Sequence, residues 1–469
     1  MADAPALTAD FAAATEADWR ALVDKTLGET PFSSLRRTTV EGLPIAPLYA
    51  PAPEPKAPAR AVSADRAWEV ATLSAHPDPA RANSEILADL RGGSASAILR
   101  LDPTGKAGLA VGSAADLARA LDGVILEFAP VALDAGFLGP IAADWLGAAA
   151  KASPTALVRF HLDPLSAHAE AGVSPGPIEA HLISAANTAV RLAETYPQAQ
   201  LFLASGRVVH EAGGGEAGEI AFAASAAVAY AKALVRAGMP MADAFAKITL
   251  GLSADADYLV TLAKLRAARA VWARIAKACE ADPTARIEAR SSRRMLTAKD
   301  AWTNMIRLTA AGFGAAVGGA DTVMLGNFTD AIGLPTEFGR RQSRNAQLVL
   351  MEEAHIGRVA DPAAGSGYIE ALTDEIAHKA WADFQAIEAA GGIVAALAAG
   401  QIAQGVEAAR AARPDPKIIG VTAFPPAKET PVEVEIAAAK AVAAPSTRLP
   451  GPDSACAPLT PIRISQPFE

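Results

Sequence analysis

The chain has 469 residues, 51% of them apolar and 20% charged, with a formal net charge of −9. That much apolar material excludes a disordered chain, and an acidic balance without a basic stripe excludes a protein built to track nucleic-acid phosphates. The length suits a single (β/α)8 TIM barrel with added ends and leaves small molecules and other proteins as the expected partners.

The opening MADAPALTADF carries Asp3 and Asp10 where a signal or transit peptide needs basic residues, so a cytoplasmic protein is expected. Residues 8–28 place Phe11, Trp19, Leu22, Val23 and Leu27 at helical spacing, and Pro44, Pro47, Pro51, Pro53, Pro55 and Pro58 then forbid regular structure. Residues 1–60 therefore read as an extended N-terminal arm and a Pro-rich linker. The arm lies either on a second subunit or on its own barrel.

Residues 61–413 read as the barrel with flanking helices. Eight short apolar runs serve as strands: SAILRL (96–101), GVILEF (123–128), ALVRFHL (156–162), AQLFLAS (199–205), AKITLGL (246–252), ARIEARS (285–291), DTVMLG (321–326) and RVADP (358–362). Helices are expected over 113–121, 177–196, 216–237, 257–280 and 300–318, with Gly318 and Gly319 allowing close packing before the seventh strand. The most apolar stretch, Ile220 to Met239, is interrupted by Lys232 and Arg236 and reads as a buried helix, so no membrane span is expected. A helix over 380–388 and an alanine-rich one lead to a further strand, KIIGVTAF (417–424). The Pro/Ala-rich tail, 414–469, resembles a linker that stops short of another domain. Cys279 and Cys456 have neither disulfide-framework nor zinc spacing, which points to a reducing compartment and no metal.

In a (β/α)8 barrel the chemistry belongs at the carboxyl ends of the strands. There the third run presents His161 and Asp163, the fourth Ser205, Arg207 and His210, and the sixth Ser291, Ser292, Arg293 and Arg294. His161 with Asp163 could form an oriented general base, against the plainer reading of a rim hydrogen bond. Arg207, Arg290, Arg293 and Arg294 could hold a phosphate or carboxylate if they converge. Arg340, Arg341, Arg344, Glu352 and Glu353 read as solvated or interface charges on a helix.

Between Arg290 and Gly392 the chain reads RSSRRMLTAKDAWTNMIR, AAVGGADTV, GLPTEFGRRQSRNAQLVLMEEAHIGRVADPAAGSGYIEALTDEIAHKAW and FQAIEAAGG, and near the amino terminus TVEGLPIAPLY (39–49). These segments resemble the methylmalonyl-CoA mutase family. The resemblance implies an adenosylcobalamin-dependent enzyme that interconverts methylmalonyl-CoA and succinyl-CoA through radicals. In the family's catalytic subunits a Tyr-His pair follows Ser-Gly after one strand, and here Arg207 and Val208 fill those places. Valine cannot donate a hydrogen bond to a thioester carbonyl. The family's Arg-Phe-His-Thr-Gln-Thr run is replaced by Glu288 to Arg294, and the stretch after Trp68 lacks the tyrosine that lies over cobalt. Asp361, Pro362, Gly365, Ser366 and Tyr368 match the family's loop after the eighth strand, where Asp-Pro and Gly-Ser shape a turn.

None of the seven histidines has Asp two residues before it, so the family's cobalt-ligating loop is missing and the cobalamin-binding domain is absent from this chain. The resemblance is thus to the small, non-catalytic subunit of the heterodimeric bacterial enzyme. A catalytic large subunit would then bind the acyl-CoA and the adenosylcobalamin. Two alternatives remain at this point. The chain could be a catalytic mutase barrel that borrows a separate cobalamin-binding subunit, or a regulatory barrel that binds CoA or an effector. An unrelated barrel lyase using His161 and Asp163 is the weakest reading.

Overall fold

Eight parallel strands close on themselves in chain order in the computed structural model. The structure describes residue 12, residues 14–52, 54, 58, 60, 66–153 and 155–469. The strands are β1 (Glu69–Ser74), β2 (Ser96–Arg100), β3 (Val131–Asp134), β4 (Val158–Leu162), β5 (Gln200–Ser205), β6 (Ile248–Ala254), β7 (Ile287–Ser291) and β8 (Thr322–Met324). Val323 of β8 pairs with Ala289 of β7 on one side and Val70 of β1 on the other, which closes the ring. Helices follow the strands and one continuous apolar core fills the space between the two layers.

Six of the eight expected strands are present, and two are corrected. GVILEF is a turn: Ile125 and Phe128 are 59% and 83% exposed, and the strand β3 begins only after Pro130. RVADP follows a short 3-10 turn, Ile356–Arg358, and is also not a strand. The strand it was meant to supply is β1, whose sequence EVATLS is too polar to read as an apolar run. KIIGVTAF makes only a single bridge, Ile419 with Ala423, and is not a strand.

The polarity of β1 has a structural cause. Arg159 of β4 donates to Glu69 of β1 at 2.6 and 2.5 Å. Those strands are not neighbours in the ring, so the pair spans the lumen. Arg290 of β7 likewise reaches Asp134 at the end of β3, at 2.8 Å. The barrel interior holds these ion pairs beside a small apolar cluster of Ala71, Ile98, Ala132 and Met324, where many barrels stack Val, Ile and Leu throughout.

The five expected helices are present as Ala114–Ala120, Ile178–Thr195, Glu216–Arg236, Tyr258–Ala278 and Asn304–Val317. Helix Glu216–Arg236 is long and apolar enough to cross a bilayer by length and composition, but 67% of that window is buried inside the fold. The helix expected over 380–388 belongs to a longer one, Gly367–Ala389. On helix Glu337–Leu348, Arg340 and Arg344 are buried rather than solvated. They pair with Glu85 and Asp89 of helix Pro79–Arg91, each at 2.7 Å.

The arm divides in two. Helix Glu16–Leu27 is capped by Thr15 and Asp18 and buries no residue. Farther on, Glu41 accepts hydrogen bonds from the backbone N–H groups of Ala217 and Gly218, capping helix Glu216–Arg236. Tyr49 packs on Tyr368 at 5.3 Å between ring centroids. The second half of the arm thus lies on its own barrel. Residues 8–11, Pro53 and Pro55 lie outside the described residues.

The tail runs over the carboxyl end of the barrel, held by backbone hydrogen bonds from Val442 to Pro103, Leu449 to Pro175, Cys456 to Gly172 and Ile462 to Glu211. Gly176, at φ +101°, lets this strap pass, because a Cβ there would collide with the Leu449 carbonyl.

Candidate functional site

A cavity of about 830 Å³ opens over the carboxyl ends of the strands. Its rim includes Pro445, Pro461 and Arg463 of the tail strap, and its walls include His161, Arg207, Arg290 and Arg293. The sequence therefore identified the right end of the barrel. It did not identify which side chains meet there.

His161 and Asp163 do not form a dyad. The β4–β5 pairing shifts register between Arg159 and Leu162, and His161 takes φ 44°. That turns the imidazole toward Glu288 of β7, with Nδ1 at 3.7 Å from Oε2. Burial lowers the pKa of His161 to about 4, against the pull of Glu288, so the ring is neutral. Asp163 instead accepts from the Tyr230 hydroxyl at 2.5 Å and from the Ser166 backbone at 3.1 Å, capping helix Pro164–Ala171. Burial raises its pKa to about 7 despite those bonds.

Three of the four candidate arginines, Arg207, Arg290 and Arg293, line the cavity, and Arg294 does not. Arg290 is wholly buried, with Nε on Glu288 at 2.7 Å and Nη1 on Asp134 at 2.8 Å. Burial opposes its charge, but Glu288 and Asp134 outweigh burial and hold its pKa above the ordinary value. Arg294 faces away from the cavity. It binds Asp255 at 3.0 Å, Glu216 at 3.3 Å and the carbonyls of His210 and Gly214. Arg207 and Arg293 do line the cavity. Val208 lines it too and is 7% exposed, in the short helix Arg207–Glu211 that follows β5.

Ser205 lines the cavity, whereas His210, Ser291 and Ser292 are structural. Ser291 accepts from the Gly326 backbone at 2.7 Å, and Ser292 from that of Arg294 at 3.3 Å. His210 is enclosed behind the mouth, 3.3 Å from Glu219 and 3.2 Å from Asp255. His210, Glu216 and Glu219 have the mutual spacing of metal ligands, within 4.8 Å. The Lys264 ammonium lies at 2.5 Å from Glu216 and 2.6 Å from Glu219, so a side chain already supplies the cation there. Sequence reading passed over this cluster. Its signal was Lys264, Arg266 and Arg269 within six residues of an alanine- and leucine-rich helix segment, all three buried.

Burial, Arg294 and Lys264 oppose protonation of His210, yet Glu219 and Glu216 outweigh them and hold its pKa at about 9. The unfolded histidine titrates near ~6.5. Its contribution to stability is therefore complete below that pH and is lost as pH rises through about 9. Between pH ~7 and ~10 the chain is expected to lose roughly 2–3 kcal/mol from this group, and His210→Gln should flatten that slope in urea denaturation.

The loop around Asp361 is not at the mouth. It seats helix Gly367–Ala389: Arg266 pairs with both Asp361 and Glu370, and Gly367 passes against the Ala50 carbonyl of the arm. Asp361, Pro362, Gly365, Ser366 and Tyr368 shape a turn, with Ala363 donating to Asp361 at 3.3 Å and Gly365 at φ +85°.

The sequence model of the family described as methylmalonyl-CoA mutase matches residues 64–448. The chain is 38% identical to the methylmalonyl-CoA mutase small subunit of Streptomyces virginiae, over 93% of this chain and 74% of that protein. It is 38% identical to the probable methylmalonyl-CoA mutase small subunit of Mycobacterium tuberculosis, over 81% of this chain and 64% of that protein. It is 34% identical to the methylmalonyl-CoA mutase small subunit of Propionibacterium freudenreichii subsp. shermanii, over 87% and 67%. The chain thus spans between about two thirds and three quarters of the length of these relatives.

Proposed function

The chain belongs to the methylmalonyl-CoA mutase family, and from that premise we propose that it is the small subunit of an adenosylcobalamin-dependent methylmalonyl-CoA mutase, supporting a catalytic large subunit while doing no chemistry in its own barrel. The complex would interconvert methylmalonyl-CoA and succinyl-CoA. The observation that carries this reading is the state of the barrel axis. Where a substrate-binding barrel needs an open lumen and a donor for the thioester carbonyl, this chain has the ion pairs Glu69–Arg159 and Arg290–Asp134 and the alkyl side chain of Val208.

The residues at the mouth do not fit a cobalt-ligating role. The imidazole that lines the cavity, His161, is 4% exposed and faces Glu288, and the tail strap lies across the rim. We therefore assign adenosylcobalamin and the acyl-CoA to the partner subunit. The unpaired cysteines Cys279 and Cys456 suit a reducing, cytoplasmic setting.

The alternative of a catalytic barrel with a borrowed cobalamin subunit requires a working acid or base at the mouth, and Asp163 is the cavity-lining carboxyl poised to titrate near neutrality. Asp163→Asn and Val208→Ala are expected to leave turnover of the assembled enzyme within about twofold of the unaltered complex. A general acid–base is worth ~10²–10⁴ in rate, so a hundredfold loss in either variant would return the chemistry to this chain.

A further inference from the structure

The cavity at the barrel mouth holds more hydrogen-bond donors than the protein satisfies. Among the described residues, the Arg207 guanidinium makes no hydrogen bond or ion pair, and its Nε is buried without a partner. Arg290 Nη2 is likewise buried without a hydrogen bond, as are both nitrogens of the neutral His161 ring, one of them a donor. Arg293 lines the same cavity, and only its backbone N–H is engaged, by Glu211. Most of the acceptors around them are already occupied. Asp134 serves Arg290 and Arg100, Asp163 serves Tyr230 and Ser166, Asp102 accepts from Thr104, Lys106 and Ala107, and Asp330 accepts from Asn327. Glu170 is the cavity carboxylate without such a bond, and it is exposed at the rim.

Native proteins leave few buried donors unmet, and a guanidinium close to two others is costly to hold without a counter-ion. We propose that the mouth of this barrel is a binding site for a compact oxyanion, a carboxylate or a phosphate, clasped by Arg207, with Arg293 at the rim and Arg290 Nη2 and His161 at the floor. Burial and then Arg290 lower the pKa of Arg207 to about 10, against the opposing pull of Glu211 and Asp134, neither of which hydrogen-bonds to it. The planar fork of arginine suits either oxyanion bidentately, and the cavity is of the size that takes a small ligand. This site stands on the geometry of the mouth and does not depend on which reaction the assembled enzyme performs.

The test is calorimetric titration of the full chain, alone and with its partner subunit, at neutral pH and low ionic strength. The probes are glutarate as a dicarboxylate, inorganic phosphate, and glutaramide as a neutral isostere. Saturable binding of one anion and none of glutaramide is expected, with Arg207→Gln weakening it at least ~10-fold and Arg293→Gln less. Glu170→Gln, which removes the competing carboxylate, should tighten it and should do so in a chain whose fold is undisturbed. Preference for glutarate identifies a carboxylate ligand, and preference for phosphate a phosphate. Absence of saturation by either anion overturns the proposal, as does affinity that is unchanged in both Arg207→Gln and Glu170→Gln.

Discussion

A Lys264→Met chain unfolds about 3–5 kcal/mol more easily than the unaltered one. Lys264 is wholly buried on helix Tyr258–Ala278, and its ammonium bridges Glu216 and Glu219 of the neighbouring helix. Burial alone would favour the neutral amine, but the two carboxylates raise its pKa. Methionine preserves the volume and removes the charge. Glu219, which also accepts from the Ser253 backbone at 2.5 Å, then remains buried with His210 as its remaining cationic neighbour. Adding Glu219→Gln should recover part of the loss, because the penalty comes from the uncompensated carboxylate rather than from the missing contact. Urea denaturation of the two variants checks this. A loss below ~1 kcal/mol in the single variant would mean that solvent reaches the cluster.

Arg290→Met is expected to cost a similar ~3–5 kcal/mol, this time inside the barrel. Arg290 joins Glu288 of its own strand to Asp134 across the lumen. Asp134 keeps a second partner in Arg100 at 3.4 Å, whereas Glu288 keeps only His161 at 3.7 Å. Burial raises the pKa of Glu288, and Arg290 together with His161 and Arg207 more than offsets it, so removing the arginine should move Glu288 toward its protonated form. The double variant Arg290→Met/Glu288→Leu, apolar on both sides, should regain most of the stability. If it is as unstable as the single variant, then the lumen depends on these charges for its shape rather than for their mutual neutralisation.

The barrel was legible because six strands are continuous apolar runs separated by amphipathic helices. β1 was not, because Glu69 faces Arg159 across a charged lumen, and a strand built around an ion pair does not announce itself by apolar content. GVILEF misled for the opposite reason, since Ile125 and Phe128 are apolar but exposed in a turn. The ring is closed by β1 beside β8, so RVADP, which follows a 3-10 turn, has no place in it. At the site, Arg207 and Val208 were legible as mouth residues, and both line the cavity. The separation of Arg294 from the mouth was not visible, because it depends on Asp255 and Glu216, which are remote in sequence. The same holds for Arg340 and Arg344, whose partners Glu85 and Asp89 lie about 255 residues away.

The most direct measurement is adenosylcobalamin-dependent conversion of methylmalonyl-CoA by this chain purified alone and by the chain together with its co-purifying partner. Turnover confined to the complex is the result expected of a barrel whose lumen is crossed by Glu69–Arg159 and Arg290–Asp134 and whose mouth carries the alkyl side chain of Val208. Turnover by the isolated chain, once supplied with a cobalamin-binding protein, would contradict it.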